Sequence, residues 1–136
     1  MIVLDENIFG RIVVHRLETW YKGKITSLNK LRADTVIKDE AVPAILRTVK
    51  HPTFLTTNIS DYWRKMPAHQ AYCMICFELT NPQIIEIPRL LRIVLRFKEF
   101  KTKSARMGKV MRVRRHHIDF YESGSNQIST LNWPAL

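Results

Sequence analysis

The sequence predicts an α/β fold, and three observations carry the prediction. Short β-branched or aromatic apolar runs alternate along the chain with segments of helical period. The run at residues 72–79 is apolar on both sides, as a central parallel strand must be. Acidic residues recur just after the apolar runs, where open parallel sheets gather their ligands.

Residues 2–4 (Ile-Val-Leu) read as a buried strand that stops on Asp5 and Glu6. Two acids there either face a functional crevice or open the next helix, with Asn7 as its N-cap and the helix dipole favouring them. Ile8, Ile12, Val13, Leu17 and Trp20 then recur at helical spacing, and Gly23 marks the stop. A short strand is expected at residues 25–28 and a surface loop at 29–37, with Lys30, Arg32 and Asp34. From Lys38 a second helix is expected, with Asp39 and Glu40 at its start and Val42, Ile45, Leu46 and Val49 on one side. It ends at His51-Pro52, since the residue before proline is driven from helical geometry. Residues 53–57 form the third strand, closing on Asn58 and Asp61.

Residues 62–70 are a short helix or loop, followed by the 72–79 strand and a turn at Asn81-Pro82. A long helix is expected from residue 84 to about 103, and an edge strand with one wet face over 109–121. Right-handed crossovers would place the helices on both faces of a mostly parallel sheet. Residues 1–121 are read as one domain. The tail, residues 122–136, is rich in Ser, Asn and Gly, with Leu131 and Trp133 able to dock on the body or on a partner.

At 136 residues and 46% hydrophobic the chain is long enough to bury a core. No apolar run approaches the roughly 20 residues of a membrane span. Residues 1–20 lack a secretory pattern, so the expectation is a cytoplasmic protein with no membrane partner. Cys73 and Cys76 sit three apart in a strand, hence on opposite faces, and read as buried free thiols rather than half of a zinc site.

The formal charge is +10, from 22 Lys and Arg against 12 Asp and Glu, and the excess lies mostly beyond Arg89. Such a field attracts polyanions, chiefly nucleic acid, or an acidic protein. Arg92, Arg96, Lys98, Lys101, Lys103, Arg106, Lys109, Arg112, Arg114 and Arg115 are the candidate phosphate contacts. Tyr62, Trp63 and Tyr121 are the candidates for stacking on unpaired bases.

Three acid clusters remain: Asp5 with Glu6, Asp39 with Glu40, and Asn58 with Asp61. Carboxylates brought together repel, and a hard divalent cation, Mg²⁺ or Mn²⁺, would keep them ionised while activating water for phosphodiester hydrolysis.

The start Leu4-Asp5-Glu6-Asn7 resembles that of small bacterial PIN-like domain proteins, relatives of the VapC toxins. Their acidic pair opening a helix is similar to Asp39-Glu40-Ala41-Val42, and their Thr-x-Asp-x-Asp-Phe strand end resembles Thr57-Asn58-Ile59-Ser60-Asp61-Tyr62, with Asn58 where an acid is expected. The resemblance runs over most of residues 1–121. It implies a three-layer α/β/α domain and a Mg²⁺- or Mn²⁺-dependent endoribonuclease, the toxin of a toxin–antitoxin pair being one such protein. Asp5, Asp39 and Asp61 would be catalytic metal ligands, with Glu6, Glu40 and Asn58 in support. Implied partners are RNA, an antitoxin protein and a second copy of the chain. The alternative is a degenerate PIN-like module that binds nucleic acid or an acidic protein without catalysis.

Overall fold

A computed structural model describes residues 1–33 and 36–133. Among the described residues, seven strands form one sheet in the order β2-β1-β3-β4-β5-β6-β7. They are β1 Ile2–Leu4, β2 Ile25–Ser27, β3 Thr53–Thr56, β4 Cys73–Phe77, β5 Lys109–Val113, β6 His117–Glu122 and β7 Ser129–Asn132. β1 to β5 pair in parallel with their neighbours, and β6 and β7 add antiparallel at one edge. The fold is therefore α/β with a mostly parallel sheet. Among the described residues no helix is long and apolar enough to cross a membrane.

Strand side chains alternate between faces, and the core divides accordingly. Ile2, Leu4, Leu55, Cys73, Ile75, Phe77 and Met111 pack on one face with α1 (Arg11–Glu18) and α5 (Ile87–Val94). Val3, Phe54, Met74, Cys76 and Val110 pack on the other with α3 (Val42–Leu46) and with Tyr62 at the end of α4 (Ile59–Tyr62). Two further short helices are α2 (Leu28–Leu31) and α6 (Lys103–Arg106). Cys73 and Cys76 are free and buried in the two separate clusters, and burial raises both thiols to about 12.

Several elements differ from the sequence expectation, among them the helix expected from Lys38 to His51, which is a 3₁₀ turn, Asp39–Ala41, followed by α3, which ends at Leu46. The helix expected from 84 to about 103 is a 3₁₀ turn, Asn81–Glu86, running into α5, which stops at Val94. Thr80 and Gln83 form the capping box that starts the turn, and Pro82 and Pro88 suit only first-turn positions. The single edge strand expected over 109–121 is a hairpin, in which β5 is interior and β6 returns beside it. The tail continues the sheet as β7, and the Trp133 ring stacks 6.2 Å from that of Phe97. Within the expected loop at 29–37, residues 29–31 belong to α2, while Asp34 lies outside the described residues.

Arg106, expected on a phosphate-binding surface, is 7% exposed. Its guanidinium donates to the carbonyls of Phe100 and Lys101 and to Thr53 Oγ1, tying the segment before β5 to the start of β3. Replacing it leaves those acceptors unsatisfied, so Arg106→Met should cost about 2–4 kcal/mol in urea denaturation. A loss under about 0.5 kcal/mol would show the guanidinium to be dispensable.

Candidate functional site

Because β1 and β3 are parallel neighbours, Leu4 pairs with Leu55, and Asp5 comes to lie beside Thr56 at the carboxyl end of both strands. The chain leaves β1 toward the face of α1 and leaves β3 toward the face of α4. Adjacent strands whose connections part in this way open a crevice at their carboxyl ends, the usual ligand position in such sheets.

A continuous set of hydrogen bonds lines that crevice. Thr56 Oγ1 donates to Asp5 Oδ2 at 2.7 Å and accepts from the Asn58 backbone N–H at 3.0 Å. Asn58 Nδ2 donates to Asp61 Oδ2 at 2.7 Å, while Asn58 Oδ1 accepts from the Asp61 N–H and caps α4. Asp39, arriving on the 3₁₀ turn Asp39–Ala41, is electrostatically coupled to Asp61 and accepts a hydrogen bond from the Tyr62 hydroxyl at 3.0 Å. The other Asp5 oxygen accepts from the Glu6 N–H at 2.8 Å, and Asn7 Nδ2 bonds Thr57 Oγ1 at 3.0 Å.

The electrostatics follow. Burial pushes the Asp5 carboxyl up, and the negative charges of Asp39 and Glu6 add to the shift against the bonds from Thr56 and the Glu6 N–H. Asp39 is likewise raised, by burial and by Asp61 and Glu40. The Asn58 amide, then Asp39 and Lys65, hold exposed Asp61 below the usual carboxylate range. Asp39 and Asp61 thus titrate as a pair, with Asp39 raised and Asp61 lowered.

Asp5, Asp39 and Asp61 are therefore brought to one end of the sheet. The expected supporting residues are not turned to the same task. Glu6 Oε1 accepts from the Asn29 N–H at 2.9 Å at the start of α2, and the Asn58 amide is committed to Asp61 and Ser60. Glu40 is exposed. Among the described residues, no three His, Cys, Asp or Glu side chains lie close enough together to hold a metal ion.

The expected cationic surface is dispersed. Lys101 and Lys103 are exposed near the amino ends of the strands, opposite the acids, and Lys103 acts on the Met1 amino group there. Lys109 is half-buried, its Nζ donating to the carbonyls of Glu99 and Ala105. Arg112 and Arg114 pair with buried Asp119 at 2.9 and 2.8 Å, and Arg112 lies 5.0 Å over the Trp63 ring. Arg92 covers Trp20 on the face of α1, while Arg96 and Arg115 are exposed. Lys65, which acts on Asp61 from one helical turn downstream, went unremarked in the sequence, as did Thr56. Tyr62 and Trp63 are buried, and the Tyr121 hydroxyl bonds the Met66 carbonyl, so none presents a free face to a base.

Comparison of the chain with protein-family models, with curated proteins and with solved structures finds no match.

A raised carboxyl binds its proton more tightly folded than unfolded. Its contribution is therefore most favourable at low pH, and stability falls as pH rises from the unfolded carboxylate value through the raised one. Without divalent cations Asp5→Asn should melt above the wild type at neutral pH, with the gap closing below about pH 4. Asp119 behaves oppositely: its burial is outweighed by bonds from Arg112, Thr130 and Arg114, its pKa is lowered, and it stabilises the fold until pH falls through that value. Differential scanning calorimetry against pH checks both signs. A lower melting temperature for Asp5→Asn at neutral pH would contradict the first.

Proposed function

We propose that the protein is a metal-dependent ribonuclease of PIN-like, three-layer architecture, acting on single-stranded RNA. The single observation that carries the reading is the hydrogen-bonded line Asp5, Thr56, Asn58, Asp61, with Asp39 electrostatically coupled to its end, at the carboxyl end of parallel strands.

The donor chemistry fits Mg²⁺ or Mn²⁺. All candidate ligand atoms are hard oxygens, and the charges that raise Asp5 are both negative. Mg²⁺ is commonly held through one or two carboxylates and keeps several waters, so a closed three-residue cage is not required. Asp39 and Asp61 would hold the ion, with Asp5 beside them. When bound, the cation would supply charge neutralisation at a phosphodiester and a more acidic water.

The remaining work falls to side chains. Thr56 fixes one Asp5 oxygen, leaving a carboxylate of raised pKa placed to take a proton from an attacking water. Tyr62 keeps its proton, since burial and then the charges of Asp5, Asp39 and Asp61 push its pKa up, and it orients Asp39. Lys65 supplies positive charge to a phosphate near Asp61.

Asn58 favours a second reading, a non-catalytic module, because a neutral amide already satisfies the Asp61 oxygen that a cation would need. Cleavage of single-stranded RNA with Mn²⁺ separates the two. The nuclease reading expects turnover by the wild type and a loss of about 100-fold or more in Asp5→Asn. Equal rates in the two proteins would overturn it, and no turnover by either would favour the binding module.

A further inference from the structure

The sheet has two edges, and they are finished differently. At one, β2 spans only Ile25–Ser27, its Thr26 and Ser27 are buried, and exposed Lys22 and Lys24 stand just before it. Short length, cover and lysine are the usual means of keeping an edge strand from pairing with another chain. At the other, β7 lacks both the cover and the charge. Ser129, Thr130 and Asn132 are exposed, and residues 123–136 contain no Asp, Glu, Lys, Arg or His in a chain whose formal charge is +10. Ile128, directly before the strand, is 47% exposed.

The phase of the ladder shows which peptide groups β7 leaves open. The Trp133 N–H donates to the His116 carbonyl at 2.8 Å, so Leu131 and Ser129, two and four residues back, also turn their peptide groups toward β6. Thr130 and Asn132 therefore turn theirs outward. Among the described residues no turn or loop backbone bonds to them. Thr130 Oγ1 donates to Asp119 Oδ1 at 2.8 Å, and Leu131 packs against the core on the other face, so the strand is held with that edge presented.

We infer that β7 is a self-association edge, at which two copies of the chain pair their β7 strands antiparallel about a two-fold axis and continue one sheet through both. Charge selects a second copy. Two molecules of +10 repel wherever their cationic surfaces meet, and the β7 edge lets them approach without bringing Lys or Arg together. An acidic strand from another protein would find no cation on β7 to pair with.

Symmetry supplies the register. A two-fold axis at Leu131 sets Thr130 of each copy opposite Asn132 of the other, so all four outward-facing residues enter hydrogen-bonded pairs. Leu131 then meets its own symmetry mate in the closer, non-hydrogen-bonded position, with about 4.5 Å between Cα atoms.

Sedimentation velocity on the full chain, over a concentration series reaching roughly 100 µM, should show a monomer–dimer equilibrium. Asn132→Pro deletes an outward N–H at an edge position where proline is tolerated, and should weaken dimerisation about tenfold or more. Leu131→Cys reads the register: under mild oxidation it should give a disulfide-linked dimer, because the opposed Cα atoms fall within the roughly 4.4 to 6.8 Å that a disulfide spans. Asn132→Cys should not, since residue 132 and its mate are offset to about 8 to 9 Å, beyond that span. Cys73 and Cys76 are both 0% exposed and stay out of the reaction.

A wild type that remains monomeric would overturn the assignment and leave the edge to a strand of another protein. Undiminished dimerisation of Asn132→Pro would move the interface elsewhere, and Asn132→Cys cross-linking as readily as Leu131→Cys would refute the register. Should Asn132→Pro fail to fold, the absence of a disulfide in oxidised Leu131→Cys decides against the pairing.

Discussion

The hydroxyl of Thr56 is the constraint on which the rest of the acidic crevice depends. It donates to Asp5 across the seam between β1 and β3 and accepts from the Asn58 N–H that begins the cap of α4. One buried side chain therefore sets both the position of the first acid and the entry angle of the helix carrying Asp61. Burial makes the arrangement demanding, because Thr56 is 0% exposed and an unpaired hydroxyl there would cost about 1–3 kcal/mol. The carboxylate that satisfies it is in turn partly stripped of water, which is why Asp5 is raised rather than lowered.

Charge is partitioned in a way that the net value of +10 does not reveal. The acids near the sheet's carboxyl end face one another, while several of the cations expected to balance them serve the fold elsewhere. Arg106 and Lys109 satisfy backbone carbonyls, and Arg112 and Arg114 neutralise Asp119 on the antiparallel edge. A guanidinium so engaged offers little to a phosphate, because breaking a buried pair leaves the partner charge uncompensated. Arg64 and Lys65, directly after α4, form no ion pair among the described residues.

The α/β class was legible because apolar period separates strands from helices, and Asp5 and Asp61 could be singled out because they follow strands. What escaped detection depends on pairing. Thr56 reads as an ordinary strand residue until the Leu4 to Leu55 register places it beside Asp5. The hairpin of β5 and β6 was hidden because Arg112, Arg114 and His116 mimic a solvated edge, whereas Arg112 and Arg114 are neutralised by Asp119 from the returning strand. Likewise the 84–103 helix was overextended because Leu95, Phe97 and Phe100 keep a helical spacing past the actual end at Val94. Local period cannot distinguish a continuing helix from turns that pack the same side chains.

A cation at the acid cluster would compete with protons for Asp39, whose pKa is raised, so in mildly acidic solution its binding should be coupled to proton release. Isothermal titration of Mn²⁺ in buffers of different ionisation enthalpy measures that release directly. Binding is expected at millimolar concentration or tighter, with a proton release at mildly acidic pH that diminishes in Asp39→Asn. Absence of any binding heat at millimolar Mn²⁺, or a release unaltered by Asp39→Asn, would contradict it.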